Sequence, residues 1–256
     1  MSDLQKKAKS RIYFASDFHL GVPDAWASAE RERRIVRWLD CIEENAKEIF
    51  LLGDVFDFWF EYRDVVPKGY VRLLGKLATM ADNGCKIHFV CGNHDLWIRD
   101  YFEKDLGFII HRSAFETIID GKRFLIGHGD GLDFSDRKYR FISRLFKSRF
   151  CVAAFAALHP RWAYAIGKTW SRKSRLSHSE SDKVNLYEQE PIYKYCMAEL
   201  DKRNIDFFVF GHRHLKCDLF LKNGSRYINT GFWATESPYA EWDGENLCLK
   251  NFDLGE

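Results

Sequence analysis

The chain has 256 residues, seven cysteines, a formal net charge of +2 at neutral pH and 46% hydrophobic side chains. That length suits one α/β domain with an insertion, and so small a net charge excludes a protein that coats polyanions by bulk electrostatics. The cysteines (41, 85, 91, 151, 196, 217 and 248) form no CxxC pair and leave an odd one over, which points to free thiols in a reducing compartment. Met1 to Lys9 is polar and mixed in charge, unlike a signal peptide, and no uncharged apolar run approaches the roughly 18 residues of a membrane span. The expected location is the cytoplasm, with any membrane contact peripheral.

In chain order, short apolar runs at Ile12 to Ala15, Ile49 to Leu52, Ile87 to Cys91, Phe124 to Ile126 and Phe207 to Phe210 read as strands covered on both faces. Residues 28–46 carry Ile35, Leu39 and Ile42 at helical spacing, and residues 69–82 do the same with Val71, Leu74, Leu77 and Met80. Strand, helix, strand, helix and strand in that order imply parallel pairing with crossover helices. From Asp218 to Phe252 the pattern alternates, with Asn223-Gly224 and Asp243-Gly244 as hairpin turns, which suggests a second, more antiparallel sheet. The expected architecture is a sheet-on-sheet core flanked by helices.

Five motifs follow the apolar runs: Asp17-Phe18-His19, Gly53-Asp54-Val55-Phe56-Asp57, Gly92-Asn93-His94-Asp95, Gly127-His128-Gly129-Asp130 and Gly211-His212-Arg213-His214. Each puts an oxygen or imidazole group where a buried strand ends. Mixed oxygen and nitrogen donors suit divalent manganese, iron or zinc, whereas a calcium site would avoid imidazole. A lone GDxxD or GHxH is commonly a capped turn; five such motifs in order at strand ends describe one site. Two cations sharing a carboxylate can activate a water toward a phosphorus held between them. Asp54 is the natural bridge, with Asp17, His19 and His214 completing one ion and Asn93, His128 and His212 the other. His94 is read as a charge stabiliser or proton donor whose ring Asp95 orients, the bland alternative being a turn residue. Asp57 and Asp130 are expected to support loops or imidazoles, and His111, His159 and His178 to be ordinary histidines.

Residues 136–177 differ. Eleven Lys or Arg stand against one acid, Asp136, a local charge of +10 that leaves the rest of the chain at about −8. Phe141, Leu145, Phe150, Phe155, Trp162 and Trp170 thread through the basics. Such a stretch is either a solvated scaffold or a lid that meets substrate phosphates, acyl chains or an anionic membrane surface. Nucleic acid is not expected as a partner, because binding it would usually spread basic surface beyond one insertion.

The five motifs resemble the DxH, GDxxD, GNHD/E, His and GHxH pattern of the calcineurin-like metallophosphoesterase superfamily. The resemblance implies an α/β sandwich of two mixed β-sheets flanked by helices, with two divalent ions. A closer likeness is to the UDP-2,3-diacylglucosamine hydrolases of lipid A synthesis, carried by His128-Gly129-Asp130-Gly131-Leu132, the basic insertion and Gly231-Phe232-Trp233. It implies one domain, 1–256, with a helical lid inserted at about 132–185. It further implies cleavage of a nucleotide-linked glycolipid to UMP and a diacylglucosamine 1-phosphate, manganese as the metal, and peripheral contact with the inner membrane. The substrate contacts it implies are Asn93, His94, Asp136, Tyr139, Arg172, Ser174 and Lys183. Two positions depart from that family: His94 stands where Arg is common, and Arg213 where Thr is, so an imidazolium would replace a guanidinium and Arg213 would add positive charge. The sequence equally allows a phosphodiesterase or phosphatase acting on a soluble nucleotide. A lipid-surface binding protein with a degenerate site would lack ligands, and none of the seven is missing. Oligomeric state is left open.

Overall fold

The structure is a computed structural model describing residues 9–132, 137–181 and 190–253, with side chains at 9–132, 141–172 and 190–253. The first sheet has the order β11-β10-β1-β2-β3-β4. Its strands β1 (Arg11–Ala15), β2 (Ala46–Leu51), β3 (Lys86–Val90) and β4 (Ile109–His111) run parallel. The hairpin of β10 (Pro238–Trp242) and β11 (Leu247–Asn251) adds to β1 antiparallel. The second sheet has the order β5-β6-β7-β9-β8, from β5 (Phe115–Ile119), β6 (Lys122–Ile126), β7 (Phe207–Phe210), β8 (Lys216–Phe220) and β9 (Arg226–Thr230). Here β6, β7 and β9 are parallel and the outer strands antiparallel.

The period-2 alternation of strand side chains sorts the apolar residues into layers. Ile12, Phe14, Phe50, Leu52 and Val90 face Phe124, Ile126, Phe207, Val209 and Ile228 across the sandwich. Their neighbours Tyr13, Ala15, Ile49, Leu51, Ile87 and Phe89 face outward onto α1 (Ala25–Ile42), α2 (Val71–Asp82) and α3 (Tyr101–Lys104). On the other side Leu125, Phe208 and Phe210 meet Ile192, Cys196 and Leu200 of α7 (Pro191–Leu200). Both sheets are thus covered on both faces, which is why their strands read as nearly continuous apolar runs. Between β6 and α7 come α4 (Arg137–Phe146), α5 (Arg149–Ala156) and α6 (Pro160–Ser181).

Two expectations need correction. The first helix begins at Ala25, because Asp24 caps it by accepting from the N–H groups of Trp26 and Ala27, and it ends at Ile42; Ala46 already belongs to β2. The alternating tail divides: β8 and β9 join the second sheet, but the Asp243-Gly244 hairpin returns to the first. Trp242 and Ala240 alternate correctly for either sheet, and only the pairing to Phe14 and Ile12 decides. Gly231-Phe232-Trp233 runs just beyond β9, with Trp233 fully buried against Phe18 and Trp38. Strands β4 and β5 and helix α7 were not anticipated. Among the described residues no helix is long and apolar enough to cross a membrane.

Candidate metal centre

The parallel strands β1, β2 and β3 of one sheet and β6 and β7 of the other end on the same side of the sandwich, so the five motifs meet there. Immediately past those ends the backbone turns sharply. Asp17, His19, Asp54, His212 and His214 have φ of 54°, 42°, 52°, 70° and 51°, a left-handed conformation that costs a non-glycine residue about 1–2 kcal/mol. Buried hydrogen bonds hold it: Asp17 N–H to Gly53 O at 3.1 Å and His19 N–H to Asp54 O at 2.9 Å. The Arg31 guanidinium, 7% exposed, donates to the carbonyls of Phe18, His19 and Val22 and locks the first motif from below.

All seven expected ligands come together. Asp54 Oδ2 lies 3.3 Å from His128 Nε2, 3.7 Å from His19 Nε2 and 3.8 Å from His94 Nε2, while Oδ1 accepts the His94 N–H at 2.9 Å. Asp17 Oδ1 is 3.6 Å from His19 Nε2 and 3.4 Å from His214 Nε2, and the two imidazole nitrogens are 3.0 Å apart. His128 Nε2 sits 3.2 Å from both Asn93 Oδ1 and His212 Nδ1. Three overlapping groups could hold an ion: Asp17, His19 and His214; His19, Asp54 and His94; and Asp54, His128 and His212. No cysteine enters them, and carboxylate with imidazole suits manganese, iron or zinc better than soft copper.

The donor set fits a divalent pair on its own chemistry. Asp17 Oδ1 is fully buried yet accepts no hydrogen bond. His128 Nδ1 donates to the Leu52 carbonyl at 2.7 Å, which leaves Nε2 as the donor toward the centre. Burial opposes ionisation of Asp17 and Asp54, but the surrounding imidazoles outweigh it and hold both carboxyls well below their usual range. Burial also opposes charge on His128, and the Asp54 and Asp17 carboxylates overcome it to raise the imidazole to about 10. Gly92 keeps the fit close, since a Cβ there would overlap the Asp54 carboxylate.

His94 is placed as expected, but its partner is not Asp95. The His94 Nδ1 lies 2.8 Å from the Asp57 carbonyl oxygen, which can only accept, and 3.0 Å from Ser171 Oγ on α6. Asp95 instead clamps the turn, accepting from Gly92 N–H at 2.7 Å and Val55 N–H at 2.9 Å. Burial and then the Asp54 charge push its carboxyl up to about 7, and burial pushes the His94 imidazole down to about 4. Arg213 does not add charge to the centre as expected: its Nε faces Glu190 at 3.3 Å. Asp57 approaches His19 Nδ1 at 3.6 Å, and Asp130 pairs with Lys147 at 3.6 Å.

Arg172 is exposed beside buried Ser171. Asp136 and Lys183 lie outside the described residues, and of Tyr139 and Ser174 only the helical backbone of α4 and α6 is described. Ser171 itself was missed, since a serine inside a basic helix carries no signal without the packing that brings it to His94.

The family model described as calcineurin-like phosphoesterase matches residues 10–216. A UDP-2,3-diacylglucosamine hydrolase from Porphyromonas gingivalis is 38% identical, over 96% of this chain and 98% of that one. One of the same name from Edwardsiella ictaluri is 26% identical, over 92% and 90%. A dimetal phosphatase from Danio rerio superposes at a TM-score of 0.48 with 13% identity, covering 96% of each chain. The family model's match over residues 10–216 and the 38% identical relative put the chain in the calcineurin-like phosphoesterase family, and with it among metal-dependent hydrolases built on a dinuclear metal site.

Proposed function

We propose that the chain hydrolyses the diphosphate of UDP-2,3-diacylglucosamine at the α-phosphorus, releasing UMP and 2,3-diacylglucosamine 1-phosphate. The observation that carries this reading is an apolar cavity of about 420 Å³ opening directly on Asn93 and His94. Phe58, Phe146, Phe155, Ile166 and Trp170 line it, between the 55–62 loop and the helices α4 to α6. A cavity of that size and lining suits acyl chains and offers little to a soluble nucleotide ester. The two relatives named above as UDP-2,3-diacylglucosamine hydrolases support the same substrate.

In this reading Asp17, His19 and His214 would hold one ion and Asn93, His128 and His212 the other, with Asp54 available to both; manganese is the proposed metal. Bound there, the ions supply Lewis acidity and an activated water nucleophile. The protein's own groups do the rest. The His94 Nδ1–H is spent on the Asp57 carbonyl and Ser171, so its Nε2 is the atom turned to the centre; burial disfavours its charge, and the anionic diphosphate would have to restore the proton with which Nε2 donates to a phosphoryl oxygen while the bond between the α-phosphorus and the bridging oxygen breaks. Asp95 keeps the His94 backbone in place rather than its ring. Arg172, exposed and next in the chain to Ser171, is proposed to meet the sugar phosphate, and Asp136, Tyr139, Ser174 and Lys183 are proposed as further substrate contacts.

The helices of the insertion, about 132–185 within one domain of 256 residues, act as the lid. Their outer surface carries Phe150 and Trp162, 82% and 65% exposed, next to Arg149 and Arg161. Apolar tips among basic side chains suit peripheral contact with an anionic membrane, here the cytoplasmic face of the inner membrane. The test is product analysis with manganese-loaded protein offered UDP-2,3-diacylglucosamine or a non-lipid UDP-sugar. UMP from the lipid alone is expected; turnover of the soluble compound alone would overturn the reading and leave a nucleotide phosphodiesterase.

A further inference from the structure

A second cleft, of about 580 Å³, flanks the Gly92–Asp95 turn. Leu96 and Trp97 line both it and the apolar cavity, so they form the wall between the two. Trp97 is held in that role: its Nε1 donates to the Phe146 carbonyl at 2.9 Å, and its ring packs on Phe155 at 4.8 Å between centroids. The two chambers differ in chemistry. Gly92, which packs against the Asp54 carboxylate, lines the second, and Arg99, Arg112 and Lys147 supply three cations.

This cleft is built on a fixed floor. Glu61, 1% exposed, accepts the backbone N–H groups of Arg99, Asp100 and Tyr101 at 2.7, 3.0 and 3.3 Å and the Trp59 indole N–H at 3.0 Å. Arg112 donates to the carbonyls of Ile98 and Arg99 at 2.7 and 3.0 Å, which fixes its guanidinium while using two of the five N–H groups an arginine carries. Lys147 is shared with Asp130, and Asp100, the one acid in the lining, is paired with Lys104 at 2.7 Å. The Arg99 side chain forms no ion pair among the described residues. The cleft is therefore net positive beside the centre.

We infer that this cleft takes the uridine of the substrate's nucleotide arm, whose phosphate stays at the metal centre, while the acyl chains lie beyond the Leu96–Trp97 wall. The inference rests on the function proposed above. That substrate has two unlike ends joined at the scissile diphosphate, and the centre stands between two unlike chambers. Acyl chains over the Arg99 and Arg112 guanidiniums would strip water from charges and return nothing, whereas the uracil carbonyls and ribose hydroxyls can accept hydrogen bonds from them.

The test measures inhibition of manganese-loaded enzyme by UMP, by 2,3-diacylglucosamine 1-phosphate and by inorganic phosphate, in wild type, Arg99→Glu, Lys147→Glu and Ala154→Trp, the last filling the apolar cavity. Both charge reversals are expected to weaken UMP about tenfold, the scale of one hydrogen bond lost from a charged donor to the uridine, with the lipid product and phosphate unchanged. Ala154→Trp should weaken the lipid product alone. Charge reversals that weaken the lipid product would overturn the inference and make the cleft an acyl chamber; charge reversals that leave UMP unchanged would overturn it outright. If wild type fails to cleave the lipid, the proposed function falls, and calorimetric titration of UMP into the same proteins still decides the cleft: binding lost in both charge reversals supports it, equal binding in all overturns it.

Discussion

The metal centre and the helices α4 to α6 face each other across His94, and they are built on opposite principles. At the centre every side chain is fixed by backbone from several strands: five residues are held in the left-handed region, and Asp17, His19, Asp54, Asp95 and His128 are all at most 2% exposed. Over the site, helices carry Phe141, Phe150 and Trp162 largely exposed and dock through one face. Its contacts include Tyr164 OH to the Phe60 carbonyl at 2.8 Å, Trp97 Nε1 to the Phe146 carbonyl at 2.9 Å, Phe155 against Phe58, Phe60 and Trp97, the close approach of Gly167 to Phe58, and Ser171 to His94. The centre is over-determined and the cover is not. Chemistry that needs donors within a few tenths of an ångström belongs to the first, and a lipid-sized opening that must admit and release belongs to the second.

The sharpest break in this comparison comes at the bridge. Asp54→Ala is expected to lower kcat by about 10³-fold or more, because it removes the proposed bridge, the carboxylate common to two of the three donor groups. Gly92→Ala should approach the same loss through a methyl group alone, since its Cβ overlaps the Asp54 carboxylate. Both should lose bound metal by elemental analysis while keeping a native circular dichroism spectrum. A Gly92→Ala protein with full metal content and full activity would show that the centre tolerates displacement, against the rigidity argued here.

A change confined to the cover should separate the two regions. Gly167 lies where any side chain would meet the Phe58 ring, so Gly167→Leu is expected to lift α6 from the 55–62 loop. Overpacking of this kind costs about 1–3 kcal/mol, or roughly 10- to 100-fold. That loss should appear in kcat/KM for the acylated substrate, with turnover of a small generic phosphodiester little altered. Equal losses on both substrates would mean that the helices hold the centre together instead of covering it.

Ser171 is where the two regions touch, and its effect should be smaller. Ser171→Ala removes one of two acceptors for the His94 Nδ1–H and leaves the Asp57 carbonyl. A fall in kcat of about tenfold is expected, the low end for a group that orients a working side chain. The decisive reading is a double-mutant cycle: the serine's contribution should vanish once His94 is replaced by Ala. Persistence of the full effect in that background would reduce Ser171 to packing.

The same contrast explains what the sequence conveyed. Strands ending in ligand residues were legible because burial on both faces turns Ile49 to Leu52 or Phe207 to Phe210 into unbroken apolar runs, and a ligand directly after such a run has one place to go. All seven proposed ligands were found this way. The return of β10 and β11 to the first sheet was not legible, since alternation fixes which residues point inward but not which strand is the neighbour. The partner of His94 was misjudged for a related reason. Adjacency in sequence suggested Asp95, yet the turn aims that carboxylate at the Gly92 and Val55 N–H groups, and the ring finds a carbonyl 37 residues away and a serine 77 away.

Thiol reactivity offers the mildest probe of the comparison, with no substitution needed. Burial raises the thiols of Cys85, Cys91 and Cys217 to about 12 and that of Cys196 higher still, so these four carry almost no thiolate at neutral pH. Cys41 and Cys248 are exposed, and Cys151 is half-buried on α5, lining the apolar cavity. A colourimetric disulfide reagent should therefore titrate two thiols quickly, Cys151 more slowly, and the remaining four only after unfolding. Diacylglucosamine 1-phosphate filling the cavity should slow Cys151 and leave the fast pair untouched. Cys91 is the control on the other side of His94: buried at 8% beside the metal centre, it should stay silent whether or not the cavity is filled. Labelling of Cys91 at the rate of Cys151 would mean that the strand ends open as readily as the helices above them, and the distinction between a fixed centre and an adjustable cover would fail.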